Sequence, residues 1–231
     1  DSSIEEYWII ARRKELLERI ALQDKRIIAY PMDITCEEDI HSFIQFLDQK
    51  KPDITLLINS AGMGKASAVK YQSASDTSSM IDLNCKALAI MTQICLPFMQ
   101  RGSHIVEIAS VAGFQPMPGF AIYGACKAFV LSYARALGKE LRPEGIHVTA
   151  VCPYWVKDTE FIANARKDPH SGYRNRWFSS RSADIVRKSL TDIRKNRPVS
   201  TPDPVSSIDR AASAILPDSL LVSIMNIIQK L

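Results

Sequence analysis

The chain has 231 residues, 46% of them apolar and 23% charged, with a formal net charge of +4. That length and balance fit one domain of ordinary size with ample core, and no apolar run is long enough to span a membrane. The five Cys (36, 85, 95, 126, 152) are odd in number and contain no C-x-x-C, and the four His (41, 104, 147, 170) show no ligand spacing. These features exclude a disulfide framework, point to reduced thiols in a cytoplasmic protein, and leave no metal expected.

Taken in order, residues 6–11 (EYWIIA) read as a short apolar strand, followed at once by Arg12 and Arg13 and a helix, KELLERIAL. Residues 26–30 (RIIAY) form a second strand that leads through Pro31 to Asp33, Ile34 and Thr35. Residues 37–49 have helical spacing, with acids in the first turn as the helix dipole favours. The continuous apolar run 54–59 (ITLLIN) predicts a strand buried on both faces, opening into Asn59, Ser60, Ala61 and Gly62. A polar, Ser-rich loop precedes a helix at 80–99. The strand HIVEIAS, a helix from Tyr123, and a strand at 146–151 follow. Beyond Pro153 the pattern loosens into a long irregular stretch. A helix near 182–195, a short RPVS strand and an apolar helix at 217–230 close the chain.

Strands alternating with helices predict a parallel sheet covered on both faces. In such sheets a ligand sits outside the carboxyl ends of the strands. Arg12, Asp33, Asn59, Ser110 and Pro153 each stand at or just beyond a predicted strand end. Between Arg166 and Arg197 there are ten Lys or Arg against three Asp or Glu, a local +7 that leaves −3 elsewhere. A solvated face accounts for it, and an anionic substrate or acidic partner is the sharper reading. No alternation of aromatic and basic residues marks a nucleic-acid platform.

Chemistry concentrates between Ser110 and Lys127. Only one of the seven Tyr, Tyr123, has a Lys four residues on. On a helix that spacing puts Tyr123 and Lys127 on one face, where an ammonium is expected to lower the phenol pKa from about 10. Ser110 ends the preceding strand thirteen residues before Tyr123. A hydroxyl there, facing the phenol, could grip a substrate oxygen.

Ser, thirteen positions, Tyr, three positions, Lys resembles the signature of the short-chain dehydrogenase/reductase family, and the resemblance runs along nearly the whole chain. It implies a doubly wound Rossmann-type domain over residues 1–231, with a substrate-loop and cap region from about 154 to 231. It also implies a catalytic tetrad of Asn84, Ser110, Tyr123 and Lys127, in which Asn84 holds a relay water. Asn59, Ser60, Ala61 and Gly62 resemble the family's NNAG segment beside the adenosine half of the cofactor. Asp33 matches the acid that meets the adenine, with the Ile34 backbone beside it. Pro153, Val156 and Thr159 resemble the segment that receives the nicotinamide carboxamide, although Pro153-Tyr154 replaces the usual Pro-Gly. Arg12 and Arg13 favour NADP over NAD, because a guanidinium forks onto a 2′-phosphate that an acid would repel.

The activity implied is hydride transfer between NADP(H) and a carbonyl or secondary alcohol, in an apolar pocket near Phe114, Met117, Pro118, Tyr154, Trp155 and Phe161. The alternatives are a reductase of 3-oxoacyl thioesters on an acyl carrier or coenzyme A, and a non-catalytic dinucleotide sensor. A homodimer or homotetramer is expected through the helices at 80–99 and 123–141, with Cys95, Phe98, Phe129 and Tyr133 on the seam. The family's opening strand and TGxxxGxG turn have no counterpart after Asp1, so the sequence reads as N-terminally incomplete. On that reading residues 6–11 and 54–59 flank a missing strand, and the chain alone is expected to be poorly soluble and inactive.

Overall fold

The computed structural model describes residues 4–168, 171 and 179–230, with the backbone alone for 225–230. His170, Arg174 and Arg176, the last two part of the basic stretch, lie outside the described residues. The chain forms two compact units, Asp1–Pro52 and Asp53–Leu231.

In the first unit, strands β1 (Tyr7–Ala11) and β2 (Ile27–Pro31) pair in parallel, with Tyr7 opposite Ile27 and Ala11 opposite Pro31. Helix α1 (Lys14–Ala21) connects them. Helix α2 (Glu37–Lys50) begins with Glu37, Glu38 and Asp39 in its first turn and stops at Lys51, which takes the left-handed conformation at φ 46°. The core here is aromatic. Tyr30 meets Phe43 and Phe46 at 5.1 Å between ring centres, and Trp8 meets Phe46 at the same distance. Such ring pairs add about 0.5–1.5 kcal/mol each beyond the area they bury.

The second unit holds a four-stranded parallel sheet in the order β3 (Leu56–Asn59), β4 (His104–Ile108), β5 (His147–Val151), β6 (Val199–Ser200). The runs at 6–11 and 54–59 therefore belong to separate sheets. Strands β4 and β5 alternate their side chains between two cores. Ile105, Val148 and Ala150 face Leu131, Ala134 and Leu137 of helix α5 (Ala121–Glu140). Val106 and Val151 face the other way, onto Ile193 of helix α7 (Ser182–Arg194). A sheet covered on both sides explains why these strands read as unbroken apolar runs. The run at 54–59 does not follow suit. As an edge strand, β3 leaves Ile58 48% exposed, so the expectation of burial on both faces fails there.

Four further features differ from the sequence reading. The Ser-rich stretch is helix α3 (Ala74–Ile81), started by Ser73, whose hydroxyl accepts from the Asp76 amide at 3.0 Å. The single helix expected at 80–99 is broken. A wide π-turn (Asp82–Ala87) separates α3 from α4 (Leu88–Cys95). Past Pro153, the irregular stretch contains helix α6 (Glu160–Ala165). Helix α8 (Pro204–Ile215) stands between β6 and the closing helix α9 (Asp218–Lys230), and Asp203 and Ser206 cap it reciprocally. Cys95 is buried within its own chain at 3% exposure, so it cannot line a seam between subunits. Phe129 is 42% exposed and stacks on Tyr133 at 5.9 Å. Among the described residues, no helix is long and apolar enough to cross a membrane.

Candidate active site

Strand β4 delivers Ser110 two residues past its end, with extended backbone (φ −169°, ψ 163°). The Ser110 hydroxyl accepts from the Ala112 amide at 3.2 Å and donates to the Pro153 carbonyl at 3.5 Å. It thereby starts the short 3-10 turn Val111–Gly113. The chain returns as α5, whose buried face runs Tyr123, Cys126, Lys127, Val130, Leu131, Ala134 and Leu137. That is the 3–4 spacing of a helix packed along one side. Tyr123 lies in its first turn and Lys127 one turn on.

Ser110 is close enough to the Tyr123 phenol to pull its pKa down. Lys127 donates from Nζ to the Ile108 carbonyl at 2.7 Å, and Nζ stands 5.7 Å from the centre of the Tyr123 ring. Both side chains are nearly inaccessible, Tyr123 at 6% and Lys127 at 4%. Burial dominates their electrostatics. It pushes the Tyr123 phenol above its ordinary range, against the downward pull of Ser110. It also pulls Lys127 down to about 8. The expectation that Lys127 lowers the phenol is therefore corrected. The ammonium is turned onto a backbone carbonyl, and desolvation of the phenol outweighs the downward pull of Ser110. The phenol is consequently protonated throughout the neutral range, as a proton donor must be.

Asn84 sits in the π-turn and is fully buried. Its Nδ2 donates to the Met63 and Met80 carbonyls, each at 2.8 Å, and its Oδ1 accepts from the Met63 amide at 3.1 Å. The Met80 carbonyl is the one that the Asn84 amide would take in an unbroken α-helix. The side chain takes it instead, which accounts for the wide turn. Asn84 thus ties the loop after β3 to the end of α3, and both of its amide hydrogens are committed.

Ser60, Ala61 and Gly62 are exposed beyond the carboxyl end of β3. A Cβ on Gly62 would meet Asn84 Oδ1 at 2.9 Å and stand 3.5 Å from Lys127 Nζ, so only glycine lets the loop approach both. Asn59 does not reach outward. Its Nδ2 donates to Thr92 Oγ1 at 2.8 Å and to Glu107 Oε1 at 3.1 Å. Pro153 receives Ser110 and the Val111 amide, Val156 bridges Ser180, and Thr159 donates to the Val156 carbonyl at 3.0 Å. Around Tyr123 pack Phe120 at 4.3 Å and Phe161 at 5.4 Å, with Met117 and Trp155 in the same cluster. Phe114 packs instead with the β4–β5 core.

In the first unit, Asp33 accepts from the Thr35 hydroxyl at 2.6 Å and the Thr35 amide at 2.9 Å, and these bonds, with Arg12, hold its carboxyl below the usual range. Arg12 pairs with Asp33 at 3.5 Å and remains 74% exposed. Arg13 occupies the N-cap of α1, and Ile34 is half-buried.

Two groups escaped the sequence reading. Glu107, in β4, is fully buried and bonded at Oε1 by Asn59 and Thr92, while Oε2 has no partner among the described residues. Gln115 donates to Asp209 of α8 at 2.9 Å. The only sequence signal for Glu107 was an acid inside an apolar run.

The family model for short chain dehydrogenase matches residues 6–170. An uncharacterized oxidoreductase of Staphylococcus aureus strain USA300 is 33% identical over 159 residues, covering 67% of this chain and 68% of the relative. The short-chain dehydrogenase from Sphingobium yanoikuyae, solved in complex with NADPH, is 28% identical. It superposes with a TM-score of 0.75 over 97% of this chain and 85% of that one. The bulky-bulky ketone specific alcohol dehydrogenase from Comamonas testosteroni is also 28% identical, with a TM-score of 0.68 over 90% and 82%.

Proposed function

This chain belongs to the short-chain dehydrogenase family of oxidoreductases, and from that premise we propose that it reduces the carbonyl of a bulky apolar ketone, or oxidises the matching secondary alcohol, with NADP(H). One observation carries the reading: Tyr123 and Lys127 lie buried one helical turn apart on α5, with Ser110 at the adjoining strand end. When bound, the nicotinamide supplies or accepts the hydride. Tyr123 gives the proton to the substrate oxygen in the reductive direction. Ser110 donates a second hydrogen bond to that oxygen and turns from the Pro153 carbonyl to do so. Lys127 restores charge balance behind the phenol and holds the nicotinamide ribose. Asn84 fixes the loop 59–63, which with Pro153, Val156 and Thr159 steadies the cofactor.

The residues present are compatible with that cofactor. The exposed backbone at Ser60–Gly62 and the lack of a side chain at Gly62 leave a face on which a flat or sugar group can rest. Asp33 and Ile34 serve the adenine. Residues 1–231 act as one NADP-binding domain in this reading, with Phe129 and Tyr133 on the surface of a homodimer or homotetramer. The aromatic cluster around Tyr123 supports an apolar substrate, and a relative of 28% identity is specific for bulky ketones.

The test is NADPH oxidation by the full-length protein over a panel of small ketones, bulky aryl ketones and acetoacetyl thioesters. Bulky ketones are expected to turn over fastest. A preference for thioesters would favour the carrier-linked reductase, and no oxidation with any of them would favour a sensor.

A second prediction concerns cofactor choice. Arg12 is 74% exposed, and its 3.5 Å pairing with Asp33 is the weak kind that a phosphate displaces. Replacing Arg12 and Arg13 together with Ser removes charge-assisted contacts worth about 1.5–3 kcal/mol each. NADPH affinity is expected to fall at least tenfold more than NADH affinity. Equal losses in a titration of both cofactors would remove the pair from this role.

A further inference from the structure

Helix α8 is tied through two acids to the loops that leave β4 and β5. Asp203, at its N-cap, accepts from the Ser206 amide at 2.8 Å through Oδ1 and from the Tyr154 amide at 3.0 Å through Oδ2. Both of its oxygens are thus occupied. Asp209, further along the helix, is only half provided for. Its Oδ1 accepts from Gln115 Nε2 at 2.9 Å, while its Oδ2 is buried without a partner among the described residues. Gln115 shows the same imbalance. It is 7% exposed, and its Oε1 also lacks a partner among the described residues.

The two bare acceptors therefore sit on the two groups that one hydrogen bond already joins. Two acceptors cannot bond to each other, and each one left buried and unpaired carries the full cost of its lost hydration. A single proton on Asp209 Oδ2 resolves both. It turns that oxygen into a donor, and the amide held by the other oxygen offers Oε1 as the acceptor. An acid and an amide then pair through two bonds, one in each direction. Exchanging the Gln115 nitrogen and oxygen does not remove the need, because an amide oxygen facing Oδ1 also calls for a proton on the acid. The surroundings favour that proton. Burial pushes the Asp209 carboxyl up from 3.8 to about 6, the Asp203 charge adds to the rise, and Gln115 opposes it. Tyr154, facing from the loop after β5, keeps its own proton, pushed up by burial and by both acids. Loop 111–119 carries no charged residue, and the neighbouring Arg210 is turned onto the Val199 carbonyl at 3.5 Å.

We propose that Asp209 is held as a carboxylic acid that closes a second hydrogen bond, from Oδ2 to Gln115 Oε1, and that this two-bond clasp positions the substrate by pinning loop 111–119 to α8. The effect on substrate rests on the function proposed above, and the clasp itself does not. Gln115 stands two residues before Met117, which packs with Phe120 and Tyr123. Ser110, at the start of the loop, is held separately by the Pro153 carbonyl. Loosening the clasp therefore weakens the pocket wall at Met117 and leaves the proton transfer at Tyr123 in place. The second bond exists only in the protonated state, so forming it raises the Asp209 pKa further and carries the clasp closer to neutrality. As pH rises past that value the proton leaves, one bond is lost, and Oε1 is left against a carboxylate.

The experiment measures amide hydrogen exchange across residues 111–119 in the full-length protein, wild type against Asp209→Asn, at about pH 5 and about pH 8. Asn presents an N–H where the acid has its O–H, so it keeps both bonds at either pH. Comparing the two proteins at one pH cancels the intrinsic exchange rate and the titration of Glu107, which both share. They should exchange alike at the lower pH. At the higher pH wild type should exchange roughly 2- to 10-fold faster, the worth of one net hydrogen bond. Gln115→Met, which keeps the length and neither bond, should speed exchange at the lower pH and abolish the difference between Asp209 and Asn. KM for a bulky ketone should be higher in wild type than in Asp209→Asn by a similar factor at the higher pH only, with kcat the same in both. Equal exchange in the two proteins at both pH values, or a difference that survives Gln115→Met, would overturn the clasp. Equal KM at the higher pH would overturn its role in positioning substrate. A protein inactive on every ketone would count against the proposed function, and hydrogen exchange would still decide the clasp.

Discussion

Tyr123→Phe should abolish ketone reduction in the full-length protein while NADPH still binds. The substitution removes one oxygen and leaves the ring, which stays stacked on Phe120 at 4.3 Å and against Phe161 at 5.4 Å. The packing of this end of α5 is therefore retained, and the neighbouring Ser110 hydroxyl keeps the Ala112 amide and the Pro153 carbonyl. A positioned general acid contributes about 10²- to 10⁴-fold to rate, so kcat should drop by that range. Lys127→Met should behave differently. It removes a buried ammonium bonded to the Ile108 carbonyl at 2.7 Å, and two roles are assigned to that group. Both kcat and NADPH affinity should suffer. Steady-state rates and a fluorescence titration of NADPH separate the two variants. A Tyr123→Phe protein that keeps more than about a tenth of the wild-type rate is not using the phenol as its acid.

The pair Tyr123–Lys127 and its partner Ser110 were legible because their geometry is local. Four residues along a helix fix a shared face, and an apolar run ending in Ser fixes a strand end. What surrounds them was not legible. The sign of the Tyr123 shift depends on desolvation by Met117, Trp155 and Phe161, residues distant in sequence whose packing only the fold supplies. The Ser-rich helix α3 escaped because Ser is a poor guide to helix interiors but a good cap, and Ser73 caps it. The break at Asp82–Ala87 escaped because one Asn amide competes with the backbone for the Met80 carbonyl, a choice that helical periodicity does not report. The contact of the Cys85 thiol with the Cys126 carbonyl joins positions 85 and 126 across two elements, and no short-range pattern encodes it. Strand β3 was read as doubly buried because its composition matches β4 and β5. Its place at the sheet edge, with Ile58 exposed, follows from strand order instead.

Glu107→Gln should stabilise the protein at neutral and alkaline pH and change little in acid. Glu107 lies fully buried in β4 with one oxygen unpartnered among the described residues, and burial pushes its carboxyl up from 4.5 to about 7. Asn59, Thr92 and Lys127 pull it down, and burial outweighs them. The folded state therefore holds a proton that the unfolded chain has already released between about pH 4.3 and 7. With fewer protons bound in the unfolded state, stability falls as pH rises through that window. A shift of this size corresponds to a loss of about 3 kcal/mol by pH 8 relative to pH 4, large against a typical domain stability of about 5–15 kcal/mol. Gln keeps the shape and the neutral state but cannot ionise. The gain in urea midpoint over wild type should be small near pH 5 and grow steadily to pH 8. Lys127 works with the opposite sign. Its pKa, lowered to about 8, makes stability rise only above that value, so it does not mimic the effect below pH 7.5. The Glu107 carboxylate also supports the Lys127 charge, and removing it should move the alkaline limb of kcat/KM to lower pH. An equal midpoint change at pH 5 and pH 8 would mean that Glu107 carries no shifted proton in the folded protein. An unmoved alkaline limb would mean that it is not felt at Lys127.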